Sequence, residues 1–266
     1  MELIDIGVNL AHRRFAEDRD AVIARAVAAG VGTMVVTGTS TRASREARAL
    51  AASRPGVLWS TAGIHPHEAR DATPAALAEL RGLARDPAVC AIGECGLDFD
   101  RMFSSAKDQE RAFEDQLALA AELALPVFLH ERAAHDRFLA IVREHRARLT
   151  AAVVHCFTGT GGELDAYLAL DLHIGITGWI CDERRGVALR ALVPRIPRDR
   201  LMIETDAPFL LPRDLATRPA GGRNEPALLR QVLSGVARAA GRPEEVVAAE
   251  TTATAREFFR LESPRR

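Results

Sequence analysis

The stretch Ala91-Ile92-Gly93-Glu94-Cys95-Gly96-Leu97-Asp98 is the part of the sequence that best indicates the fold and the chemistry. An apolar run that begins at Val89 ends here in a carboxylate, Glu94, and a second carboxylate, Asp98, follows shortly after. In parallel α/β barrels, acidic residues at the carboxyl end of a strand are typical of catalytic sites. A capping acid on an ordinary strand end is the alternative interpretation of Glu94 taken alone, so the rest of the chain has to decide.

Short apolar runs alternate with longer segments of helical periodicity along the whole chain. The runs predicted to be strands are Leu3–Val8, Thr33–Thr37, Val57–Ala62, Val89–Glu94, Pro126–His130, Ala152–His155, His173–Thr177 and Leu201–Glu204. Strands that alternate with helices in this way favour right-handed βαβ units and a parallel sheet. Eight such units fit a closed (β/α)8 TIM barrel, an α/β fold, better than an open doubly wound sheet. We predict a single domain over residues 1–266.

The bulk composition argues against several classes of protein. The chain has 266 residues, of which 48% are hydrophobic, and a formal net charge of −1. No global cationic field therefore attracts nucleic acid, and any such contact has to be local. The sequence has neither a G-x-G-x-x-G motif nor a P-loop, which argues against a nucleotide cofactor.

Cysteine usage and the N-terminus indicate the compartment. The four cysteines form no C-x-x-C motif, which favours reduced thiols in a cytosolic protein. The N-terminus has no signal-peptide pattern, and no apolar run is long enough to span a membrane. We therefore expect a cytoplasmic protein with no membrane partner, and a monomer by default.

Reactive side chains end several other apolar runs. These residues are His65, His130, His155 and Asp206. In a barrel they would meet Glu94 at one rim of the sheet. Imidazoles and carboxylates together suit a divalent ion such as Mg²⁺, Mn²⁺ or Zn²⁺. Each residue alone has a simpler interpretation, for example a turn that begins at Asp206, but their joint occurrence favours a metal site.

Five longer motifs resemble the TatD family of metal-dependent nucleases. They are Asp5-Ile6-Gly7-Val8-Asn9-Leu10, Gly63-Ile64-His65-Pro66-His67, Ile92-Gly93-Glu94-Cys95-Gly96-Leu97-Asp98-Phe99, His155-Cys156-Phe157-Thr158-Gly159 and Glu204-Thr205-Asp206-Ala207-Pro208. The resemblance runs from the first strand to the final helices. It implies a TIM barrel, a divalent metal with Mg²⁺ as the first choice, and 3′→5′ exonucleolytic cleavage of phosphodiesters in single-stranded DNA or RNA.

The resemblance also implies a role for each matching site residue. Glu94, His130 and His155 would be metal ligands. Asp206 would be a further ligand or the general base that accepts a proton from the attacking water. His65 would assist catalysis by contacting phosphate, and Arg132, two residues beyond His130, would do the same.

The sequence departs from the family pattern at the first strand. Most of the wider family has His-x-His there, whereas this chain has Gly7 and Asn9. Glycine has no ligating side chain, and asparagine offers only a neutral amide oxygen. We therefore expect one tightly held ion near Glu94 rather than a pair of ions.

Several other polar and aromatic residues have open interpretations. Asp98 either holds the loop after the fourth strand or supports a nearby histidine, and His67 is expected in a solvated loop. Trp179 and Phe209 either stack on bases or pack at the rim. Asn224 is expected to be the N-cap of a helix.

Two other functions remain open at this level. The same metal-bound water could attack another ester or amide, such as an aminoacyl ester. A degraded barrel that serves as a binding or scaffold protein is the second alternative, supported only by Gly7 and Asn9.

Overall fold

The structure is a computed structural model and describes residues 1–261. The strands are β1 (Leu3–Val8), β2 (Val31–Val36), β3 (Leu58–Ala62), β4 (Val89–Asp98), β5 (Val127–Arg132), β6 (Ala152–Val154), β7 (His173–Ile176) and β8 (Leu201–Ile203). The α-helices are α1 (Arg19–Ala28), α2 (Thr41–Ala52), α3 (Pro74–Leu83), α4 (Ala106–Leu123), α5 (His135–His145), α6 (Gly161–Ala169), α7 (Gly186–Leu192), α8 (Leu229–Ala240) and α9 (Glu244–Phe259). Short 3₁₀ turns lie between several of these elements.

The strands form one sheet in which they follow each other in chain order from β1 to β8. Neighbouring strands pair in parallel, as β4 does with β3 and with β5. The first and last strands are also neighbours, because the Asp206 N–H, just past β8, donates to the Gly7 carbonyl at 2.8 Å. A closed order of parallel strands with helices between them is the (β/α)8 TIM barrel, so the predicted fold class is confirmed.

Internal contacts divide the chain into two compact units. The first contains residues 1–36, 156–164 and the described residues from 173 onward, and therefore β1, β2, β7 and β8. The second contains residues 37–155 and 165–172, and therefore β3 to β6. The single domain over the whole chain stays a prediction.

Burial follows the pattern expected of parallel strands that are covered on both faces. Every residue of β1 and every residue of β4 is buried. In the first unit, α9 packs against β1 and β8. In the second unit, α4 packs against β4 and buries one side of its surface, including Phe113 and Leu117.

Strand β4 is longer than the prediction, which ended it at Glu94. It continues to Asp98 because the added residues pair with β5, with Gly96 opposite His130 and Asp98 opposite Arg132. The consequence for the site is that Glu94 lies within the sheet instead of at its end.

Two helix starts also differ from the prediction. The helical pattern of the sequence predicts a helix from about Asp182 to Leu192. Helix α7 instead begins at Gly186, because Asp182 Oδ1 accepts hydrogen bonds from the backbone N–H groups of Arg184 and Arg185 and closes a turn there. Asn224 is not a helix cap. It is buried, and its Nδ2 donates to the carbonyls of Thr205 and Phe209, at 3.0 and 2.7 Å, so it fixes the loop that follows β8.

Two further sequence expectations can be compared with the structure. The cysteines at 90, 95, 156 and 181 are all free thiols, as expected for a reduced protein. Within residues 1–261, no helix combines the length and the apolar character that crossing a membrane requires.

Candidate active site

Glu94 lies in the middle of β4, where two glycines bring the neighbouring strand very close. A Cβ atom on Gly93 would lie 2.3 Å from the Phe128 carbonyl oxygen, and one on Gly96 would lie 1.9 Å from the His130 carbonyl oxygen. Both glycines also have positive φ angles, 129° and 144°, that other residues rarely adopt. The motif Gly-Glu-Cys-Gly therefore places the carboxylate where the β4 and β5 backbones approach too closely for a Cβ at either glycine.

Three imidazole rings surround one oxygen of this carboxylate. His130 Nδ1 and His155 Nε2 each lie 2.9 Å from Glu94 Oε1, and His65 Nε2 lies 3.3 Å from it. His65 follows β3, His130 lies in β5, and His155 directly follows β6. The structure therefore brings together four of the residues that the sequence analysis selected.

Main-chain hydrogen bonds hold this cluster in place. The Glu94 N–H donates to the Gly38 carbonyl at 2.7 Å, the His65 N–H to the Thr39 carbonyl at 2.9 Å, and the His155 N–H to the Leu129 carbonyl at 2.9 Å. The cluster is thus held by the main chain of β5 and of the residues that directly follow β2.

Two buried glutamines of α4 support the same strand ends, and the sequence analysis did not identify them. The Gln116 side chain accepts from the Ile64 N–H at 2.7 Å and donates to the Ile64 carbonyl at 3.0 Å, next to His65. The Gln109 side chain accepts from the Asp98 N–H at 2.8 Å and donates to the Asp98 carbonyl at 3.0 Å. A signal was present, because both residues lie on the buried face of α4 among apolar side chains, where a polar group needs a specific partner.

Asp98 and His67 form a second layer beside the cluster. Asp98 Oδ2 lies 2.7 Å from His67 Nε2 and 3.7 Å from His130 Nε2. Asp98 Oδ1 accepts from the N–H groups of Asp100 and Arg101, at 3.0 and 2.9 Å. Asp98 therefore has both of its predicted roles. His67 lies in the connection after β3 with 31% of its side chain exposed, but its ring also contacts Asp98 and packs against His65 with centroids 4.2 Å apart.

The electrostatic balance keeps Glu94 ionised. Burial opposes ionisation of Glu94, but the charges and hydrogen bonds of His155, His65 and His130 outweigh it and hold its pKa well below the usual range. Burial also acts to lower the pKa of His130, yet the contacts with Asp98 and Glu94 raise it above the ordinary value. Burial lowers the pKa of His65 to about 4, although Glu94 opposes that shift. At neutral pH, His65 is therefore a neutral ring beside an anion.

The donor atoms fit a divalent metal ion. Ligand atoms of His65, Glu94 and His130 lie within 4.8 Å of one another, and His155 contacts the same Glu94 oxygen. His130 Nε2 is buried and has no hydrogen-bond partner, which is the state expected of a nitrogen that awaits a ligand. Imidazole and carboxylate donors together suit Mg²⁺, Mn²⁺ or Zn²⁺.

Two other residues predicted for the site, Asp206 and Arg132, have different surroundings. Asp206 belongs to the other compact unit, where Asn9 Nδ2 donates to its Oδ1 at 2.9 Å. Arg132 is half-exposed at the end of β5 and forms an ion pair of 2.7 Å with Asp100. The roles of both residues stay predictions.

Comparison with known proteins agrees with the resemblance in the motifs. The family model described as TatD related DNase matches residues 4–260. A protein of Erwinia billingiae named 3′-5′ ssDNA/RNA exonuclease TatD is 54% identical over 259 residues, which cover 97% of this chain and 99% of that protein. The protein of the same name from Musicola paradisiaca is 56% identical over 261 residues, covering 97% of this chain and 98% of that protein.

A solved structure gives the same result. A TatD homologue from Escherichia coli K12 is 28% identical, with a TM-score of 0.87 and coverage of 98% of both chains. The family model spans nearly all of the described residues, and the relatives match over their whole length at more than half identity. The family resemblance is therefore confirmed, and the chain belongs to the TatD family of DNases.

Proposed function

We propose that this protein is a metal-dependent exonuclease that removes nucleotides from the 3′ end of single-stranded DNA or RNA. One observation carries the proposal. Glu94 is held ionised among three imidazoles, in a chain more than half identical over its whole length to proteins named as such exonucleases.

The metal is proposed to be Mg²⁺, with Mn²⁺ or Zn²⁺ as alternatives. Its ligands are proposed to be Glu94, His130 and His155, with Asp206 as a further ligand. His65 fits the ligand set better than a purely ionic contact with phosphate, because its low pKa keeps the ring neutral at pH 7, and neutral imidazole is the form that binds metals.

The side chains divide the chemistry of phosphodiester hydrolysis among them. A bound divalent ion would supply charge neutralisation at the phosphate and a lower pKa for the attacking water. Asp206 accepts the proton of that water as general base. Arg132 has a half-exposed guanidinium that forms an ion pair with the exposed Asp100. It exchanges that carboxylate for a phosphate oxygen of the substrate, as a guanidinium fork readily does. The His65 ring lies in the same site, with its Nε2 3.3 Å from Glu94 Oε1.

One ion per chain is the proposed stoichiometry. The positions that hold histidines in the wider family are Gly7 and Asn9, and the Asn9 amide nitrogen is directed at Asp206 Oδ1. Gly7 has no ligating side chain, and Asn9 offers only its neutral amide oxygen in place of an imidazole nitrogen. A second ion at this position would therefore lack the two imidazole ligands that the wider family provides.

The deciding experiment uses single-stranded oligonucleotides labelled at the 5′ end, with and without Mg²⁺. We expect a ladder that shortens from the 3′ end and disappears with EDTA. Esters and amides assayed in parallel test the other hydrolase reactions. Metal-independent DNA binding without cleavage would contradict the proposal and support a scaffold role.

The assembly state and location are part of the same proposal. We propose a monomer in the cytoplasm, a location that the four free thiols support. Light scattering of the purified protein tests the first statement, and cell fractionation tests the second. A dimer at low protein concentration would contradict the first, and recovery from a secreted or membrane fraction would contradict the second.

A further inference from the structure

A cavity of about 570 Å³ lies within the first unit, outside the histidine cluster. Its walls come from the 3₁₀ turn after β7, from the long loop after β8, and from Arg14 near the N-terminus. We call it the Trp179 cavity. Loops after the seventh and eighth strands of TIM barrels frequently form phosphate-binding sites, and pockets of this volume are typical of small-molecule ligands.

Two aromatic side chains line the Trp179 cavity. Phe209 is 44% exposed, so part of its ring is open to solvent at the cavity. Its only described ring contact is an edge approach by His12, with centroids 5.4 Å apart. Trp179 is partly exposed, and the guanidinium of Arg185 lies over its ring, 5.1 Å from the centroid. Partly exposed aromatic surfaces of this kind are platforms for stacking of flat ring systems.

The charge at the cavity favours an anion. Arg14, Arg213 and Arg218 line it, against one carboxylate, Asp182. Asp182 is buried and already neutralised, since Arg213 lies 3.1 Å from its Oδ2. Arg14 donates to the Pro208 carbonyl at 3.1 Å, and within residues 1–261 neither Arg14 nor Arg218 has a carboxylate partner. Two guanidinium groups therefore remain for a ligand.

We propose that the Trp179 cavity binds one nucleotide unit of the single-stranded substrate. Phe209 and Trp179 receive the base, and Arg14 and Arg218 receive its phosphate. This inference rests on the proposed function, because it names a binding subsite for the same substrate. The ligand is identified by chemistry alone, since a flat ring joined to an anion matches partly exposed aromatic rings beside unpaired guanidinium groups.

The cavity is also joined to the proposed general base through the main chain. The Phe209 N–H donates to the Asp206 carbonyl at 3.0 Å, so both residues belong to one turn. Asn224 Nδ2 also binds this turn, since it donates to the Phe209 carbonyl at 2.7 Å. A nucleotide stacked on Phe209 would therefore be bound by the segment that carries Asp206, and it would help to hold the strand for cleavage.

The test measures equilibrium binding by fluorescence anisotropy in EDTA, so that no cleavage occurs. The probes are a labelled oligothymidylate of about ten nucleotides, within the site sizes common for single-strand binders, and an abasic strand of the same length. Phe209→Ser is expected to weaken oligothymidylate binding by about 10-fold and to leave the abasic strand unaffected, because stacking on one base contributes roughly this much. Phe209 is 44% exposed, and a melting curve of the variant checks that it is folded.

A second variant tests the phosphate contact. Arg218→Gln is expected to weaken binding of both strands and to reduce the slope of log K against log salt by about 0.7, the value for one phosphate contact on a single strand. Arg42→Gln is the matched control, because Arg42 is an exposed arginine of α2 that pairs with Glu46. The control is expected to bind both strands like the wild type.

The outcomes separate this inference from the proposed function. Wild-type affinity of Phe209→Ser for oligothymidylate would overturn the assignment of the cavity, and so would an oligoglutamate of equal length that competes as well as the oligothymidylate. A wild-type protein that binds strands but never cleaves them with metal present contradicts only the proposed function. If the wild type cleaves strands while Phe209→Ser and Arg218→Gln bind them normally, only this inference is contradicted.

Discussion

Glu94 and Asp5 are both carboxylates buried inside strands, one in each unit of the chain. Glu94 faces three imidazoles, which hold its pKa well below the usual range despite burial. Asp5 faces Thr205, whose N–H donates to its Oδ1 at 2.9 Å, and the Gly7 N–H. Burial raises the pKa of Asp5 to about 8, the hydrogen bonds from Thr205 and Gly7 only partly oppose the shift, and the neighbouring Glu204 adds to it.

The difference shows how the same residue chemistry serves two purposes. A carboxylate kept ionised among imidazoles can exchange those partners for a cation. A carboxylate kept protonated beside a hydroxyl and backbone N–H groups can only hold the chain together, and Asp5 joins β1 to the segment after β8 in this way. Burial alone therefore does not identify a functional acid, and the neighbouring groups do.

The largest expected effect is the loss of activity in Glu94→Ala. This change removes the anion around which the three rings are arranged. We expect turnover on single-stranded DNA to fall by at least about 100- to 1000-fold, the usual result of losing one preorganised electrostatic group. Initial rates with a labelled oligonucleotide measure it. The matched control is Asp5→Asn, which is expected to keep wild-type activity. Equal losses in the two variants would contradict the distinction between a functional Glu94 and a structural Asp5.

Asp206→Asn tests whether Asp206 is the general base. Asp206 directly follows Thr205, whose N–H donates to Asp5. Asparagine keeps the size of the side chain and its acceptance of the Asn9 hydrogen bond but cannot take a proton. We expect kcat to fall by roughly 100- to 10,000-fold, as for loss of a general base. Kinetics at saturating substrate measure it. Wild-type kcat in this variant would remove Asp206 from the mechanism.

Metal binding is expected to depend on pH through His130. The contacts with Asp98 and Glu94 raise the pKa of His130 above its ordinary value despite burial, so protons compete more strongly with an ion for this ring, and metal affinity should rise as pH rises through that pKa. Calorimetry with Mg²⁺ or Mn²⁺ at several pH values should give one tight equivalent per chain and proton release on binding. His145→Gln, a change at the end of α5, is the control. Two tight equivalents would contradict the single-ion proposal.

The smallest expected effect on activity is that of Asp5→Asn, which should instead change the pH dependence of stability. The folded protein keeps the Asp5 proton up to a pKa of about 8, whereas the unfolded chain loses it near 3.8. The stabilisation is therefore complete below pH 3.8 and is lost as pH rises to about 8. Asparagine mimics the protonated acid, so the variant should lack this decline in melting temperature. Parallel curves for wild type and variant would show that Asp5 is ionised.

The strands and their chain order could be predicted because buried parallel strands are simple apolar runs. β1 was predicted with its observed bounds, Leu3–Val8. The length of β4 could not be predicted, because its last residues are strand only through pairing with β5, and pairing is a tertiary property. The predicted start of α7 was wrong for a local reason, since the side chain of Asp182 accepts hydrogen bonds from the N–H groups of Arg184 and Arg185 before the helix begins.

The residues of the Glu94 cluster could be predicted from the sequence, but the contacts of the side chains around it could not. Glu94, His65, His130 and His155 were selected because each ends or follows an apolar run, and the structure gathers them around one oxygen. His67 was assigned to solvent because its partner, Asp98, is 31 positions away in the chain.

The supporting glutamines escaped notice for a related reason. Gln116 bonds the Ile64 backbone 52 positions away. A contact of this kind has no periodicity that a sequence could reveal, although a glutamine within the apolar face of a helix is itself a sign of a buried partner.

The position of Trp179 gives the protein an optical reporter of its own. The chain has only two tryptophans, Trp59 in β3 and Trp179 in the wall of the cavity. Trp59→Phe would leave a single indole emitter, whose fluorescence a stacked base would quench. Loading of a strand, and its release after each cut, could then be followed in real time without a dye on either molecule.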